Sequence, residues 1–161
     1  MSTLSVDTIQ GQTAAANVKL PAGTVLQTIH STFNTQVYKA STGTSTTGHS
    51  ATITPKFSNS KILISHKGTC YSEGDNLHQY RTVYRGSTNL ASSGEGLTLH
   101  SAGASSSGRW SSIGFDYLDS PNTTNATTYT IYYRGNSSSV NTYYCYGTHY
   151  PQVLILQEIS Q

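Results

Sequence analysis

The sequence predicts an all-β protein: an antiparallel two-sheet sandwich of jelly-roll type with an extended N-terminal arm. Three observations carry that expectation. Thr, Tyr, Val and Ile recur in period-2 patterns along most of the chain, which suits a pleated, half-buried surface. Good helix formers are scarce, and Ser and Thr, 24 of each in 161 residues, compete with helical backbone hydrogen bonds. The alternating runs are short and separated at fairly regular intervals by Gly, Ser and Asn clusters, as in a sandwich or jelly roll.

Residues 1–23 stand apart. Leu4, Val6 and Ile9, then Val18 and Leu20, are apolar anchors around Gly11-Gln-Thr-Ala-Ala-Ala16, and Pro21-Ala-Gly23 closes the segment. No pattern here is long enough to bury those side chains alone, and one helical turn at Ala14–Ala16 is too short to stand by itself. The segment either packs along its own domain, trails as a partly ordered tail, or reaches a partner. An arm docking on another subunit is the preferred expectation, with residues 24–161 forming the sandwich.

The strands follow in order. Val25, Ile29, Phe33 and Val37 lie on one face of a long extended run, and a shorter strand is expected around Ser50 to Thr54. Ile62 and Ile64 alternate with Leu63 in a run suited to burial on both faces. Tyr80, Thr82 and Tyr84 alternate with Arg81, Val83 and Arg85; Ile113, Phe115 and Tyr117 repeat the pattern, as do Tyr129, Ile131 and Tyr133. A strand around Tyr143 to Tyr146 precedes a last run with Val153, Ile155 and Ile159 on one face and Leu154 and Leu156 on the other. That makes about eight strands. Thr42 to Gly48, Ser72 to Asn76, Ser92 to Gly96, Gly103 to Gly108, Ser120 to Thr124 and Gly135 to Ser139 read as loops. No internal repeat is present, which argues against a β-helix or propeller.

Composition narrows the function classes. At 17.3 kDa the chain is one domain by length, and only 10% of its residues are charged, against roughly 25% in an ordinary soluble protein. Leu, Ile, Val and Phe supply 30 residues, a small aliphatic complement. The net charge of only +2 argues against disorder, and twelve Tyr can each bury a ring while keeping the hydroxyl wet. The chain is therefore expected to be ordered but lightly cored. No stretch of 18 or more apolar residues occurs, so no membrane insertion is expected. No secretory signal is visible at the start, Met1-Ser-Thr-Leu-Ser-Val-Asp7. Nine Lys and Arg are scattered without a basic block, so no nucleic-acid partner is expected. Cys70 and Cys145 are too few for a disulfide scaffold. They either form one bridge or, as preferred here, stay free and packed.

Ser2-Thr-Leu-Ser-Val-Asp-Thr-Ile-Gln10, continuing through Val18-Lys-Leu-Pro-Ala-Gly-Thr-Val-Leu-Gln27, resembles the opening of small virion proteins of marine bacteriophages described as tail fibre or appendage proteins. Ser50-Ala-Thr-Ile-Thr-Pro55, Ser60-Lys-Ile-Leu-Ile64, Tyr84-Arg-Gly-Ser-Thr88, Tyr117-Leu-Asp-Ser-Pro121 and Val153-Leu-Ile-Leu-Gln-Glu-Ile159 match the same pattern in order. Together these pieces cover about half the chain. The resemblance implies a non-enzymatic, homotrimeric virion component, made in the host bacterial cytoplasm. Its N-terminal segment would bind other virion proteins, and its β-domain would face outward for host attachment and receptor binding. Gly68 to His78, Leu90 to Trp110 and Asn136 to Tyr150 depart from the pattern and would form distal or lateral loops, where recognition residues sit on a rigid scaffold. Two alternatives are a capsid-decorating protein that stabilises the shell and a free carbohydrate-binding module. A surface of hydroxyls and amides suits a particle surface, being little affected by salt screening.

The candidate receptor contacts are aromatic residues in or near those loops. Tyr71, Trp110, Tyr143, Tyr144 and Tyr146 are suited to stack on sugar rings of a host-surface glycan or to meet a host protein. Asn76, Asn136, Asn141 and His149 would add directional hydrogen bonds. Alternation puts Tyr144 and Tyr146 on one face and Tyr143 on the other, so one face belongs to core or interface. Trp110 is expected to be packed. His30, His49, His66, His78, His100 and His149 show no H-x-H or H-x-x-x-H spacing; a trimer could gather three copies of one His on its axis, and His66 is the best placed if it shares an inward face with Ile62 and Ile64. No metal and no cofactor are expected. The carboxylate pairs closest in sequence, Asp116 with Asp119 and Glu73 with Asp75, read as turn formers rather than glycosidase acids at Asp119 and Asp75, and no G-x-S-x-G elbow occurs. No catalytic residue is assigned.

Overall fold

The structure, a computed structural model, describes residues 20–72, 77–101, 108–145 and 150–161. Its strands are β1 (Val25–Phe33), β2 (Val37–Lys39), β3 (Ser45–Ile53), β4 (Lys61–Ser72), β5 (His78–Arg85), β6 (Thr88–Asn89), β7 (Thr98–Ser101), β8 (Arg109–Asp119), β9 (Thr127–Gly135), β10 (Thr142–Cys145) and β11 (Gln152–Ile159). No helix occurs among the described residues.

Several of these strands run end to end. β1 and β2 line the same edge, with Phe33 beside Gln152 and Val37 beside Cys145. β10 and β11 in turn follow one edge of β4, Tyr143 beside Tyr71 and Val153 beside Lys67, while β8 pairs along the other. β6 and β7 share one edge of β5. The first sheet thus reads β1/β2, β11/β10, β4, β8, and the second β3, β9, β5, β6/β7, every pair antiparallel. Counted along the chain, these are the first, eighth, third and sixth strand positions facing the second, seventh, fourth and fifth. That is the strand order of a jelly roll.

Alternation sets the core. Ile53, Ile62, Ile64, Val83, Tyr129, Ile131, Tyr133, Leu154 and Leu156 are buried between the sheets, with Phe115 beside them. Leu154 and Leu156 are the inward side of the last strand, while Val153, Ile155 and Ile159 face out and are half-buried. Leu63 is likewise half-buried on the outer face, not sealed on both sides.

Three boundaries differ from expectation. The run from Val25 to Val37 breaks at residues 34–36 into β1 and β2. The region read as a loop up to Gly48 is strand from Ser45 onward: Gly48 sits at φ +79°, and the register against β9 shifts between Thr46 and Ser50. Burial alternates through this irregularity, but the inward positions Thr47 and His49 are polar, so no apolar period marks the strand. β6 and β7 were not anticipated, being only two and four residues long.

The first sheet has two distinct ends. Val25, Lys61, Asp119 and Ile159 mark one; Lys39, Ser72, Arg109 and Thr142 mark the other. The described chain starts at the first end, where the Gly23 amide donates to Ser160 O (2.9 Å), the Ser160 amide to Thr24 O (3.0 Å) and the Ser160 hydroxyl to Pro21 O (2.6 Å). Leu20 is exposed there, whereas Leu4, Val6, Ile9 and Val18 lie outside the described residues.

Candidate functional site

At the second end, aromatic side chains from four neighbouring strands form one row on the outer face of the first sheet. Inward positions on β4 are Ile62, Ile64, His66, Cys70 and Ser72, so Tyr71 points outward. Inward positions on β8 are Ile113 and Phe115, so Trp110 also points outward. Register then aligns Trp110 with Tyr71, Tyr71 with Tyr143, and Tyr143 with Tyr38 of β2. Ring centroids are 4.8 Å apart for Tyr71–Trp110, 5.5 Å for Tyr71–Tyr143 and 5.1 Å for Tyr38–Tyr143. Tyr150 extends the row, 4.9 Å from Trp110. These tilted contacts are favourable arrangements for ring quadrupoles. Tyr143 is buried and forms the floor with half-buried Tyr71, while Tyr38 (54% exposed), Trp110 (45%) and Tyr150 (47%) present open ring surface. Gly108 makes room for the Tyr71 hydroxyl, which a Cβ at that position would strike.

Beneath the row lies a buried polar layer that holds β10 in place. The register of β10 against β2 shifts between Tyr143 and Cys145, which gives β10 one extra residue. As a result Tyr144 and Cys145 both join the core while Tyr143 faces out. The Tyr144 hydroxyl lies 2.7 Å from His49 Nδ1 and 2.9 Å from His66 Nε2. His49 Nε2 faces Ser31 O at 3.3 Å, and a carbonyl only accepts, so Nε2 carries the proton. Nδ1 of His49 therefore accepts from the Tyr144 hydroxyl, whose oxygen accepts Nε2–H of His66. Among the described residues His66 Nδ1 has no hydrogen-bond partner. Both rings are neutral: burial, helped by nearby Arg81, lowers the His49 pKa to about 4 and drives His66 well below its usual value. Burial likewise raises the Tyr144 hydroxyl well above the ordinary range.

Arg81 completes the layer. It is fully buried, and among the described residues its guanidinium has no carboxylate partner. Nε donates to Gln79 Oε1 (3.0 Å), Nη1 to Gln152 Oε1 (2.9 Å), and Nη2 to Thr69 O and Tyr144 O (both 3.0 Å). The cation also sits 4.6 Å above the Tyr144 ring. Gln79 Nε2 donates to Tyr143 O (2.8 Å), which ties the row to the second sheet. Inward-facing Gly68 leaves the space Gln152 occupies; a Cβ there would collide with the Gln152 amide.

The structure thus brings Tyr71, Trp110 and Tyr143 together. Trp110 packs against two tyrosines yet stays well exposed, where a packed side chain was expected. Tyr144 is a correction: bulged into the core and fully buried, it offers no surface to a ligand. Asn136 Oδ1 accepts from the His78 amide (2.8 Å), and Asn141 is half-buried ahead of β10. Asn76, Tyr146 and His149 lie outside the described residues, as do Glu73 and Asp75. Tyr38 and Tyr150 were not anticipated; the signal for Tyr38 was its place one residue past inward Val37, on the opposite face.

His66 does share the inward face of Ile62 and Ile64, but that face is the core of its own sandwich, so it cannot line a trimer axis. Among the described residues no three His, Cys, Asp or Glu side chains are grouped to hold a metal. Cys70 and Cys145 are buried and form no disulfide with each other, and burial raises the Cys70 pKa to about 11. Asp116 is exposed on the outer face while Asp119 is buried, so they do not flank a common site. Asp119 is no turn former: it ends β8, pairs with Arg85 Nη1 (2.8 Å) and accepts the Tyr129 hydroxyl (2.7 Å).

The chain folds as an all-β jelly-roll sandwich, and comparison with solved structures finds viral particle proteins among its structural neighbours. The structure of infectious bursal disease virus, Gx strain, is matched over 97% of this chain and 43% of that one, at 10% identity and a TM-score of 0.47. The T13 particle of the same virus is matched over 98% and 42%, at 10% identity and a TM-score of 0.46. Its VP2 subviral particle gives 84% and 40%, 10% identity and a TM-score of 0.44. The chain spans about two fifths of the length of those proteins. No protein-family model and no curated protein matches the sequence.

Proposed function

We propose that this chain is a non-enzymatic structural protein of a bacteriophage particle, a tail fibre or appendage subunit that presents its sandwich for host-surface attachment. Residues 1–23 dock it onto other virion proteins or neighbouring copies, in a homotrimer. The observation that carries this reading is the polarity of the first sheet. The segment leading from the proposed arm is fastened to Ser160 at one end, and the aromatic row opens at the other. A subunit held at the first end directs the row away from its attachment point. The ordered resemblance to phage appendage proteins at Ser2–Gln10, Val18–Gln27 and Val153–Ile159 supports the same reading.

The test is deletion of residues 1–20. The truncated protein is expected to keep its β circular-dichroism spectrum and thermal midpoint yet fail to enter particles. Incorporation at the wild-type level would refute the docking role. Antibody labelling of wild-type particles then separates appendage from capsid decoration, since label spread over the shell would overturn the appendage assignment.

A further inference from the structure

We propose that the row Tyr38–Tyr143–Tyr71–Trp110, extended by Tyr150, is a binding strip for a linear polysaccharide. The inference rests on the host-attachment reading and names the chemistry of the partner. A pyranose ring carries C–H groups on its faces and hydroxyls around its rim. It is matched by an exposed aromatic face beside hydrogen-bonding groups, and Tyr and Trp supply an apolar body with a polar tip. The strip has that composition. Tyr38, Trp110 and Tyr150 offer partly exposed rings, the Tyr hydroxyls supply polar edges, and exposed Ser112 lies on the same face of β8 as Trp110.

Geometry selects a chain over a single sugar. The row crosses the strands, so its repeat is the inter-strand spacing, and successive rings stand 4.8 to 5.5 Å apart, close to the length of one hexose unit. The exposed parts of the Tyr38 and Trp110 rings are separated by three strand spacings, roughly 14 Å. Buried Tyr143 and half-buried Tyr71 form a floor between them. One sugar covers one open ring; an oligosaccharide of several units spans both, and the second contact is then intramolecular. Beneath the floor, the Gln79 bond to Tyr143 O and the Arg81 bonds to Thr69 O and Tyr144 O fix the strands, so the rings are held in place before any ligand arrives.

The chain has a single Trp, and it lies in the strip, so its fluorescence reports on this site alone. Full-length protein is screened on an array of bacterial surface polysaccharides and titrated with cellohexaose, maltohexaose and the polysaccharides that bind. At least one polysaccharide is expected to bind and to shift the Trp110 emission. Its hexasaccharide fragment should bind at least about tenfold more tightly than its disaccharide. Trp110→Ala and Tyr38→Ala should each weaken binding at least about tenfold, while Trp110→Phe, which keeps a ring, should stay within about threefold. Circular dichroism controls for folding, and Trp110→Gln replaces the alanine variant if that one unfolds. Binding that ignores both ring deletions, or no polysaccharide binding at all, overturns the proposal. Loss of particle attachment in Trp110→Ala without any polysaccharide binding would point to a protein receptor, leaving the attachment reading standing and this inference refuted.

Discussion

At the scale of single residues, Tyr144 does the most to define the interior. Its hydroxyl serves two histidines at once, donating to His49 and accepting from His66. Tyr144→Phe keeps the ring and the cation–π contact with Arg81 but leaves His49 Nδ1 and His66 Nε2–H without their partner. The expected cost is about 2–3 kcal/mol, read from urea unfolding followed by circular dichroism, with Trp110 emission in the folded state unchanged. The role of Tyr144 was not legible in the sequence. A run of Thr142-Tyr-Tyr-Cys145 tells a reader that its faces alternate, not where an extra residue falls, and no glycine marks the bulge. Arg81 was equally opaque: it shares an inward face with Gln79 and Val83, yet an arginine reads as solvated until four acceptors are seen converging on it. The strip was half legible. Tyr71, Trp110 and Tyr143 stood out as aromatic residues beside loops, but their alignment depends on strand register, which pairs segments far apart in sequence.

At the scale of elements, β4 carries most of the construction, being paired along one edge with β8 and along the other with β11 and β10. Its alternation was readable at Ile62–Ile64. Beyond His66 the apolar signal fades into Gly68, Cys70 and Ser72, although the strand continues to Ser72. Gly68 is the reason the inward face can hold the Gln152 amide and, through it, Arg81. Gly68→Ala is expected to displace Gln152, break its bond to the guanidinium and destabilise the fold by about 1–3 kcal/mol, measured as a lowered urea midpoint. The long regular strands, β8, β9 and β11, were legible because each buries one face against the opposite sheet. β6 and β7 were not, having too few residues to show a period, although the equally short β10 was expected around Tyr143 to Tyr146.

At the scale of the whole molecule, the buried histidines predict how stability responds to acid. Both have folded pKa values below the unfolded value of about 6.5, so the unfolded chain binds protons that the folded one refuses. Their contribution is fully present above about pH 6.5 and is lost as pH falls from there toward the folded values, near 4 for His49. Between pH 7 and pH 5 His49 is expected to cost roughly 2 kcal/mol of unfolding free energy, at about 1.4 kcal/mol per pH unit below 6.5, and His66 adds a loss of the same sign. Urea unfolding at a series of pH values checks this, and His66→Asn should flatten the slope.

Arg81 has a consequence for how the molecule opens. Its acceptors belong to β4, β5, β10 and β11, so no one of these strands can fray without stripping a buried cation of a partner. A cation part-way out of its shell is costly, and partial separation of the sheets at this end is therefore disfavoured against both the closed and the fully unfolded state. The layer works as an all-or-none latch: the strands under the aromatic row stay shut together or come apart together. The connections beside the row can then vary in length and sequence while the platform beneath them does not breathe.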